Sequence, residues 1–216
     1  MTTEKENSPI ALARSGVIDY EKALQIQRNL HSEIVAGIRP NTLILLEHSS
    51  VFTAGRRTLD HERPNDGTPV IDVDRGGKIT WHGPGQLVGY PIVKLVNRNE
   101  VVGFVREIEV ALIAACLEFG INAERYCERS GVWIRDEKGD RKIAAIGIRV
   151  AKGVTMHGFA LNVNPDLSAF DRIIPCGISD AGVTSMAKEL DREITIAQVI
   201  PSVERHVYEA LKRVSA

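Results

Sequence analysis

Apolar residues recur at helical spacing in several stretches of the chain, and the clearest of these covers residues 101–119. Its apolar residues occupy much of the helix circumference, and Gly120 follows where a C-cap is expected. Asp19 is a suitable N-cap for an earlier helix, which Gly37 and Pro40 would end. Two helices are therefore predicted before residue 121.

The C-terminal part of the chain carries two further helix signals. Thr195 and Gln198 have the spacing of a capping box, which predicts a last helix that continues to Val214. Pro201 lies inside this stretch and predicts a kink, because proline cannot donate a backbone hydrogen bond. A short helix is also predicted over residues 185–190.

Short apolar runs separated by turn residues predict β-strands. Gly139 lies in a polar turn between two such runs, which is typical of a β-hairpin. Pro91 is expected to break the strand that contains it. Residues 59–69 are rich in proline and charge and predict a surface loop, and residues 166–178 are expected to be mostly irregular. The predicted strands are residues 42–48, 70–73, 79–82, 87–95, 131–135, 142–150 and 155–163.

The order of these elements predicts the fold class. Strands of mixed spacing, with helices at both ends and one in the middle, favour an α+β fold over repeated βαβ units. No internal repeat or flexible linker divides the sequence. We therefore expect residues 1–9 to form a flexible tail and residues 10–216 to form a single domain.

Composition and charge narrow the function classes. The chain has 27 basic and 28 acidic residues, a net charge of −1, so no bulk attraction to nucleic acid or to a membrane surface is expected. Residues 1–9 are polar and lack the apolar core of a signal peptide. No apolar run reaches the roughly 18 residues of a membrane-spanning helix. We expect a soluble, cytoplasmic protein, and a monomer.

Residues 72–91 concentrate glycine, with five glycines at positions 76, 77, 83, 85 and 89. Their spacing matches neither common phosphate-binding motif. Lys78 is followed by Ile79 where a P-loop requires serine or threonine, and Val88 stands where a G-x-G-x-x-G motif requires its last glycine. The stretch fits either a hairpin with glycine corners or a binding wall that backbone can approach closely. We favour the wall.

The cysteines and histidines do not form a recognisable metal motif. The three cysteines lack C-x-x-C spacing, and the six histidines lack H-x-H and H-E-x-x-H pairs, so no metal and no cofactor are expected. Cys116 falls on the apolar side of a predicted helix and is expected in the core. Cys176 lies between a proline and a glycine, which leaves it equally open as a nucleophile or as a structural thiol. Its candidate partners are Lys142, His82 and His157.

Four blocks of sequence resemble one enzyme family. Residues 75–91 resemble the signature of the octanoyl-[acyl-carrier-protein]:protein N-octanoyltransferases, the octanoyltransferases of lipoate biosynthesis. Three further blocks match the same family in the same order. They are Lys-Ile-Ala-Ala-Ile-Gly at 142–147, His-Gly-Phe-Ala-Leu-Asn at 157–162 and Pro-Cys-Gly-Ile at 175–178. The resemblance covers roughly residues 19–190 and has no departure at a functional position.

The resemblance implies a fold and a reaction. The fold is a mixed β-sheet flanked by helices, like the catalytic domain of biotin and lipoate protein ligases. The reaction moves an octanoyl group from acyl carrier protein to Cys176, and then to one lysine of a lipoyl domain. The implied partners are acyl carrier protein and the lipoyl domains of 2-oxoacid dehydrogenase E2 subunits and of the glycine cleavage H protein.

By family position, Cys176 is the nucleophile and Lys142 is its partner. Backbone N–H groups of the segments 145–147 or 158–160 would hold the thioester oxygen. His82 and His157 are expected to act through hydrogen bonds and not as proton carriers, and Gln86 and Tyr90 are expected to be wall or scaffold residues. The residues implied to line the substrate are Arg75, Gly76, Gly77, Lys78, Ile79, Thr80, Trp81, His82, Ala145, Ile146, Gly147, Gly158, Phe159 and Ala160.

Three other functions remain open at this point. An ATP-dependent lipoate protein ligase has the same fold but has no use for a cysteine nucleophile. A non-catalytic acyl-binding module would use the same tunnel without chemistry. A hydrolase would combine Cys176, His157 and Asn162 into a Cys-His-Asn triad.

Overall fold

The computed structural model describes residues 10–127, 129–174 and 180–216. The strands are β1 (Ile10–Ile18), β2 (Asn41–His48), β3 (Val51–Ala54), β4 (Val70–Asp72), β5 (Thr80–His82), β6 (Gln86–Ile92), β7 (Glu124–Tyr126), β8 (Arg129–Ile134), β9 (Arg141–Ala151), β10 (Val154–Asn162) and β11 (Gly182–Val183). The helices are α1 (Tyr20–Val35), α2 (Val101–Glu118), α3 (Met186–Leu190) and α4 (Ile196–Val214), with 3₁₀ turns at Asp60–Glu62 and Leu167–Arg172.

A large mixed sheet forms the centre of the fold. Its strand order is β1-β2-β6-β10-β9-β8-β7, and β11 pairs with β9. β1 is parallel to β2 and β11 is parallel to β9, whereas the pairs from β2 to β7 are antiparallel. The predicted α+β class, a mixed sheet flanked by helices, is confirmed.

The helix caps follow the sequence. Asp19 accepts a hydrogen bond from the Lys22 N–H at the start of α1, and α4 begins with the predicted capping box at Thr195. Gly120, just past α2, has a φ of +84°, which suits glycine in this C-terminal position. Pro201 lies within α4. None of the helices in the described ranges is long and apolar enough to cross a bilayer.

The predicted break at Pro91 is wrong. β6 continues to Ile92, and Pro91 lies opposite Leu43 of β2. The side chain of Thr155 supports the chain at this point. Its hydroxyl donates to the Pro91 carbonyl at 2.6 Å and accepts the Val93 N–H at 2.9 Å. A side-chain hydroxyl therefore makes hydrogen bonds beside a residue that has no backbone donor.

The two faces of the large sheet have different covers. α2 and α4 pack on one face, over a buried apolar cluster that includes Leu43, Leu87 and Leu161. α1 packs on the other face, where Ala23 and Ile34 contact residues of β2, β6 and β10. Beyond α1, this second face is covered by a smaller sheet and by the glycine-rich loop between β4 and β5, residues 73–79.

The smaller sheet has the order β4-β3-β5, and β3 was not predicted. One side of it packs against Tyr20, Leu24 and Met156, which belong to α1 and β10. Its other cluster contains Phe52, Ile79, Trp81, Phe170 and Ile173. The smaller sheet thus holds residues 75–82 above the central strands of the large sheet.

Candidate functional site

A cavity of about 240 Å³ lies between the central strands of the large sheet and the glycine-rich loop. It is smaller than the roughly 300–1,000 Å³ of pockets that take drug-sized ligands, which suits a small or slender ligand. The described residues that line it are Tyr20, Arg57, Arg75, Gly76, Gly77, Lys78, Thr80, His82, Val88, Tyr90, Arg129, Ser130, Lys142, Ala145, Ile146, Gly147, His157, Gly158, Phe159 and Ala160.

Most of the residues implied by the family resemblance therefore meet at one cavity. Ile79 and Trp81 do not line it, because their side chains pack in the apolar cluster of the smaller sheet. Successive residues of a strand point to opposite faces, so Thr80 and His82 face the cavity while their neighbours face away. The family resemblance implied that every residue from 75 to 82 lines the substrate, and it did not distinguish the two faces of the strand.

Glycine allows the loop to approach β9 closely. The Gly76 N–H donates to the Ile148 carbonyl at 2.9 Å. A Cβ atom at Gly147 would lie 3.1 Å from the Gly76 oxygen and 3.2 Å from the Arg75 side chain. Gly77 adopts a φ of +84°, which side chains disfavour. The loop thus forms one wall of the cavity at van der Waals distance from the sheet.

Arg75 is buried and binds backbone. Its guanidinium donates to the Thr53 carbonyl at 2.8 Å, to the Thr53 hydroxyl at 2.9 Å and to the Lys78 carbonyl at 2.7 Å. Lys78, the other fixed cation of the loop, is paired with the buried carboxylate of Glu62. These contacts use both charges to hold the loop in shape against the smaller sheet.

A β-bulge places Lys142 at the cavity. Ala145 and Gly147 line the cavity from alternate positions of β9. Regular alternation would therefore place Ile143 at the cavity and turn Lys142 away from it. The pairing with β8 shifts at this point, because Val132 pairs with Ala144 but Trp133 pairs with Lys142. Ile143 and Ala144 both pack into the core under α2 and α4. Lys142 takes the cavity position instead, as bulges next to functional sites often re-aim a side chain.

His82 is a buried, neutral hydrogen-bonding residue. Burial lowers its pKa to about 3, so the imidazole stays uncharged at physiological pH. Its Nδ1 donates to Gln86 Oε1 at 2.7 Å, and Gln86 Nε2 donates to Asn162 Oδ1 at 2.8 Å. Asn162 Nδ2 then donates to the Thr184 carbonyl at 2.9 Å. This chain of bonds favours the predicted scaffold role of His82 and Gln86.

His157 is the first of the four β10 residues, 157–160, that line the cavity. It has a φ of +61°, a strained conformation for a residue with a side chain, and only 2% of it is exposed. Its Nε2 is 2.8 Å from Asp74 Oδ1, and Nδ1 is buried with no hydrogen-bond partner in the described part of the chain. Burial lowers the pKa of His157, although the Asp74 carboxylate opposes that shift. His157 bonds Asp74 and Asn162 bonds Gln86 and Thr184, so the His–Asn bond of a Cys-His-Asn triad is not formed.

Gly158 and Gly89 show how tightly the cavity floor is packed. A Cβ atom at Gly158 would lie 2.0 Å from the Gly89 carbonyl oxygen. A Cβ atom at Gly89 would lie 2.1 Å from the ring of Phe159, which therefore covers that glycine. Only glycine fits at either position without moving the backbone or the ring.

We expect Gly158→Ala to lower the free energy of unfolding by about 1–3 kcal/mol, because the added methyl group collides with rigid backbone. Urea unfolding measures the change. Gly16→Ala is the matched control, since no atom lies within 4 Å of the new Cβ atom there. The control should stay within about 0.5 kcal/mol of the native chain. Equal effects in the two variants would contradict the close packing at Gly158.

Cys176 lies outside the described residues, as does the rest of the Pro-Cys-Gly-Ile block. The described chain beyond it returns to Lys142, because β11 pairs Val183 with Lys142 and the Thr184 N–H donates to the Lys142 carbonyl at 3.0 Å. Before the block, Ile173 packs with Phe170 and Trp81 beneath β5.

Several residues at the cavity were missed by the sequence analysis. Tyr20 lines the cavity from the first turn of α1, and burial raises its pKa to about 12. Val88, Arg57 and Ser130 also line it. Val88 lies within the signature block 75–91 but was not among the residues implied to line the substrate. Tyr20, Arg57 and Ser130 belong to no motif, and their proximity depends on how the two sheets pack.

The chain matches the lipoyl protein ligase A/B catalytic domain family over residues 19–208. An octanoyltransferase of Salinispora tropica is 60% identical over 200 residues, which cover 92% of this chain and 94% of that protein. An octanoyltransferase of Mycolicibacterium gilvum is 58% identical over 205 residues, covering 94% and 86% respectively.

Solved structures share the fold at low sequence identity. A bipartite lipoate protein ligase of Thermoplasma acidophilum superimposes with a TM-score of 0.70 at 16% identity, over 94% of this chain and 83% of that one. P. falciparum LipL1 in complex with lipoate also gives a TM-score of 0.70, at 14% identity, over 94% of this chain and 63% of that one. The predicted likeness to lipoate protein ligases is confirmed at the level of the fold.

Proposed function

Because this chain belongs to the lipoyl protein ligase A/B catalytic-domain family and is an octanoyltransferase of protein lipoylation, we propose a two-step thioester mechanism for it. The donor is octanoyl-acyl carrier protein, and the acceptor is one lysine of a lipoyl domain. Acceptors of this kind include the E2 subunits of 2-oxoacid dehydrogenases and the H protein of glycine cleavage. Cys176 carries the octanoyl group between them.

In the first step, the Cys176 sulfur attacks the thioester carbonyl of the donor. Lys142 Nζ takes the thiol proton as the new carbon–sulfur bond forms. The bond to the carrier sulfur then breaks, and the departing thiolate receives that proton from Lys142. One thioester replaces another, so the step is close to thermoneutral and requires no ATP.

In the second step, the neutral ε-amino group of the acceptor lysine attacks the octanoyl-Cys176 thioester. An amide bond forms and the bond to the Cys176 sulfur breaks. The proton lost by the amine passes through Lys142 to the Cys176 thiolate, which restores the starting state. An amide is more stable than a thioester, so the transfer runs downhill.

The cavity supports this proposal through its shape and its lining. Lys142 and Ile148, the partner of His157, are six positions apart on β9, which is roughly 20 Å at about 3.3 Å per residue. That length accepts an extended eight-carbon chain. Burying about seven of its methylene and methyl groups contributes at most ~6 kcal/mol, at ~0.8 kcal/mol each.

Ile146 supplies the backbone N–H that best fits the proposed oxyanion contact. The Ile148 carbonyl points towards the loop, where it accepts the Gly76 N–H. Backbone groups two residues apart on a strand point the same way, so the Ile146 N–H also points away from β10. β8 pairs with β9 at residues 141–144 and does not extend to Ile146. Ile146 lines the cavity, and we therefore propose its N–H as the contact for the thioester oxygen.

The observation that carries the proposal is the bulge at Ile143 and Ala144. It turns Lys142 into a cavity whose other walls are the family's substrate segments. β11 then brings the chain that follows Cys176 alongside Lys142. An ATP-dependent ligase would have the same fold, but its chemistry gives Cys176 no part.

The deciding experiment incubates the protein with octanoyl-acyl carrier protein and a purified lipoyl domain, without ATP. We expect the lipoyl domain to gain one octanoyl group, detected by intact mass. A parallel reaction with free octanoate and ATP should give no transfer. Transfer only in the second reaction would replace this proposal with the ligase function.

A further inference from the structure

Trp133 lies directly opposite Lys142 in the pairing of β8 with β9. The Lys142 Nζ atom is 4.6 Å from the centroid of the Trp133 ring. This distance lies within the range of a cation–π interaction, and indole is the most favourable of the aromatic rings for such a contact. Because the bulge sets this pairing, the same irregularity that turns Lys142 into the cavity also places it on the indole.

The indole is the contact that the described chain offers to this amine. Within residues 10–127, 129–174 and 180–216, no carboxylate and no hydrogen-bond acceptor pairs with Lys142 Nζ. Only 9% of Lys142 and 1% of Trp133 are exposed to solvent. A buried lysine side chain without an ion pair needs another group to fix its position, and the ring face provides one.

The surroundings of the indole nitrogen indicate that the ring face of Trp133, and not its N–H group, contacts Lys142. Trp133 Nε1 is buried and has no hydrogen-bond partner among the residues that the structure describes, which is unfavourable for a donor. Phenylalanine would fill much of the same space without leaving a donor unpaired. The position therefore carries a tryptophan despite the cost of its N–H group.

Trp133 also borders the reacting region. It lines a small recess of about 20 Å³ together with Lys142 and Asn162. The recess adjoins the main cavity, because Thr80, Lys142, Ala145 and Ala160 line both. The indole thus contacts Lys142 from the recess, while Gly76 and Gly77 line the main cavity.

We propose that Trp133 is a positioning residue that holds the Lys142 amine at the acyl cavity. The inference rests on the proposed role of Lys142 as the proton carrier. The ring does not touch the acyl group; it holds the ammonium group that forms when Lys142 takes the thiol proton, because only the charged form of the side chain makes a cation–π contact. Removing the ring should then slow the chemical step and leave donor binding unchanged.

The kinetic test compares Trp133→Leu with Trp133→Phe in octanoyl transfer to a lipoyl domain. We expect the leucine variant to lose about tenfold in kcat, because a cation–π contact at a desolvated site is of that order. Its KM for the octanoyl donor should stay within about twofold, since the acyl-binding walls are untouched. The phenylalanine variant keeps an aromatic face and should retain kcat within about threefold. Equal losses in the two variants, or none in the leucine variant, would overturn the inference.

A spectroscopic test examines the contact without any turnover. The chain has two tryptophans, so 5-fluorotryptophan labelling gives two ¹⁹F resonances, which Trp81→Phe assigns. Lys142→Met should shift the Trp133 resonance, whereas Lys138→Met, at an exposed turn, should leave it in place. An unmoved Trp133 resonance would sink the inference while ATP-free transfer by the native chain still supported the proposed function. Absence of that transfer with a shifted resonance would instead remove the function and keep the contact.

Discussion

Cys176→Ser is expected to reduce octanoyl transfer to a lipoyl domain by about 10³-fold or more, because the reaction loses its nucleophile. A serine hydroxyl has nearly the same size as the thiol but is far less acidic, so little alkoxide forms under conditions that give a thiolate. The rate is measured as octanoyl-lysine formed on the acceptor. The melting temperature should not change with it.

Cys127→Ser provides the matched control for this substitution. Cys127 is an exposed free cysteine, and the same exchange there should leave turnover at the native rate. A non-catalytic acyl-binding module would keep its function after Cys176→Ser. Native turnover in that variant would therefore remove Cys176 from the mechanism.

Lys142→Met is expected to have the second largest effect, a fall of about 10²–10⁴-fold in turnover, which is the usual contribution of a positioned acid–base group. Methionine keeps the length and the apolar stem of the side chain, so the packing against Trp133 is largely retained. Both the formation of the acyl-enzyme and its transfer to the acceptor should slow, because Lys142 moves a proton in each.

Lys138→Met is the control, since Lys138 is exposed in the turn between β8 and β9 and lies outside the cavity lining. Single-turnover measurements separate the two steps. A hydrolase that used Cys176 with His157 would lose little in Lys142→Met and would release more free octanoate than amide. Either outcome would contradict the role given to Lys142.

The sequence predicted the elements whose local signals agree with their tertiary surroundings. α2 has a strong apolar pattern and a glycine C-cap, and the β8–β9 hairpin has a polar turn at Gly139 with a φ of +92°. β1 was missed because it is the edge strand of the sheet and most of its residues are exposed, so no face shows a buried alternation. β1, α1 and β2 form one βαβ unit within a fold that has no such repeat.

The site was predictable as a set of segments but not as an arrangement. The family resemblance selected the strands and the loop that line the cavity, but it could not separate Thr80 and His82 from Ile79 and Trp81, which face the opposite side. Regular alternation from Ala145 would have turned Lys142 away from the cavity. The bulge reverses that orientation. It occurs where Gly131 packs closely against the Ala144 carbonyl, a contact between two strands that the local sequence does not reveal.

Trp133 illustrates the same limit. Its sequence neighbours give only a strand, and the relation to Lys142 appears once β8 and β9 are paired with a shifted register. Asp74 is another example, since its bond to His157 joins positions 83 residues apart. Such contacts depend on sheet topology and not on any periodicity of the chain.

The most direct test of the central claim is the intact mass of the protein after mixing with octanoyl-acyl carrier protein in the absence of an acceptor. The account predicts a gain of one octanoyl group, located on the peptide that contains Cys176, and its release when a lipoyl domain is added. Turnover at the native rate with no covalent gain, or a gain on a different residue, would contradict the account.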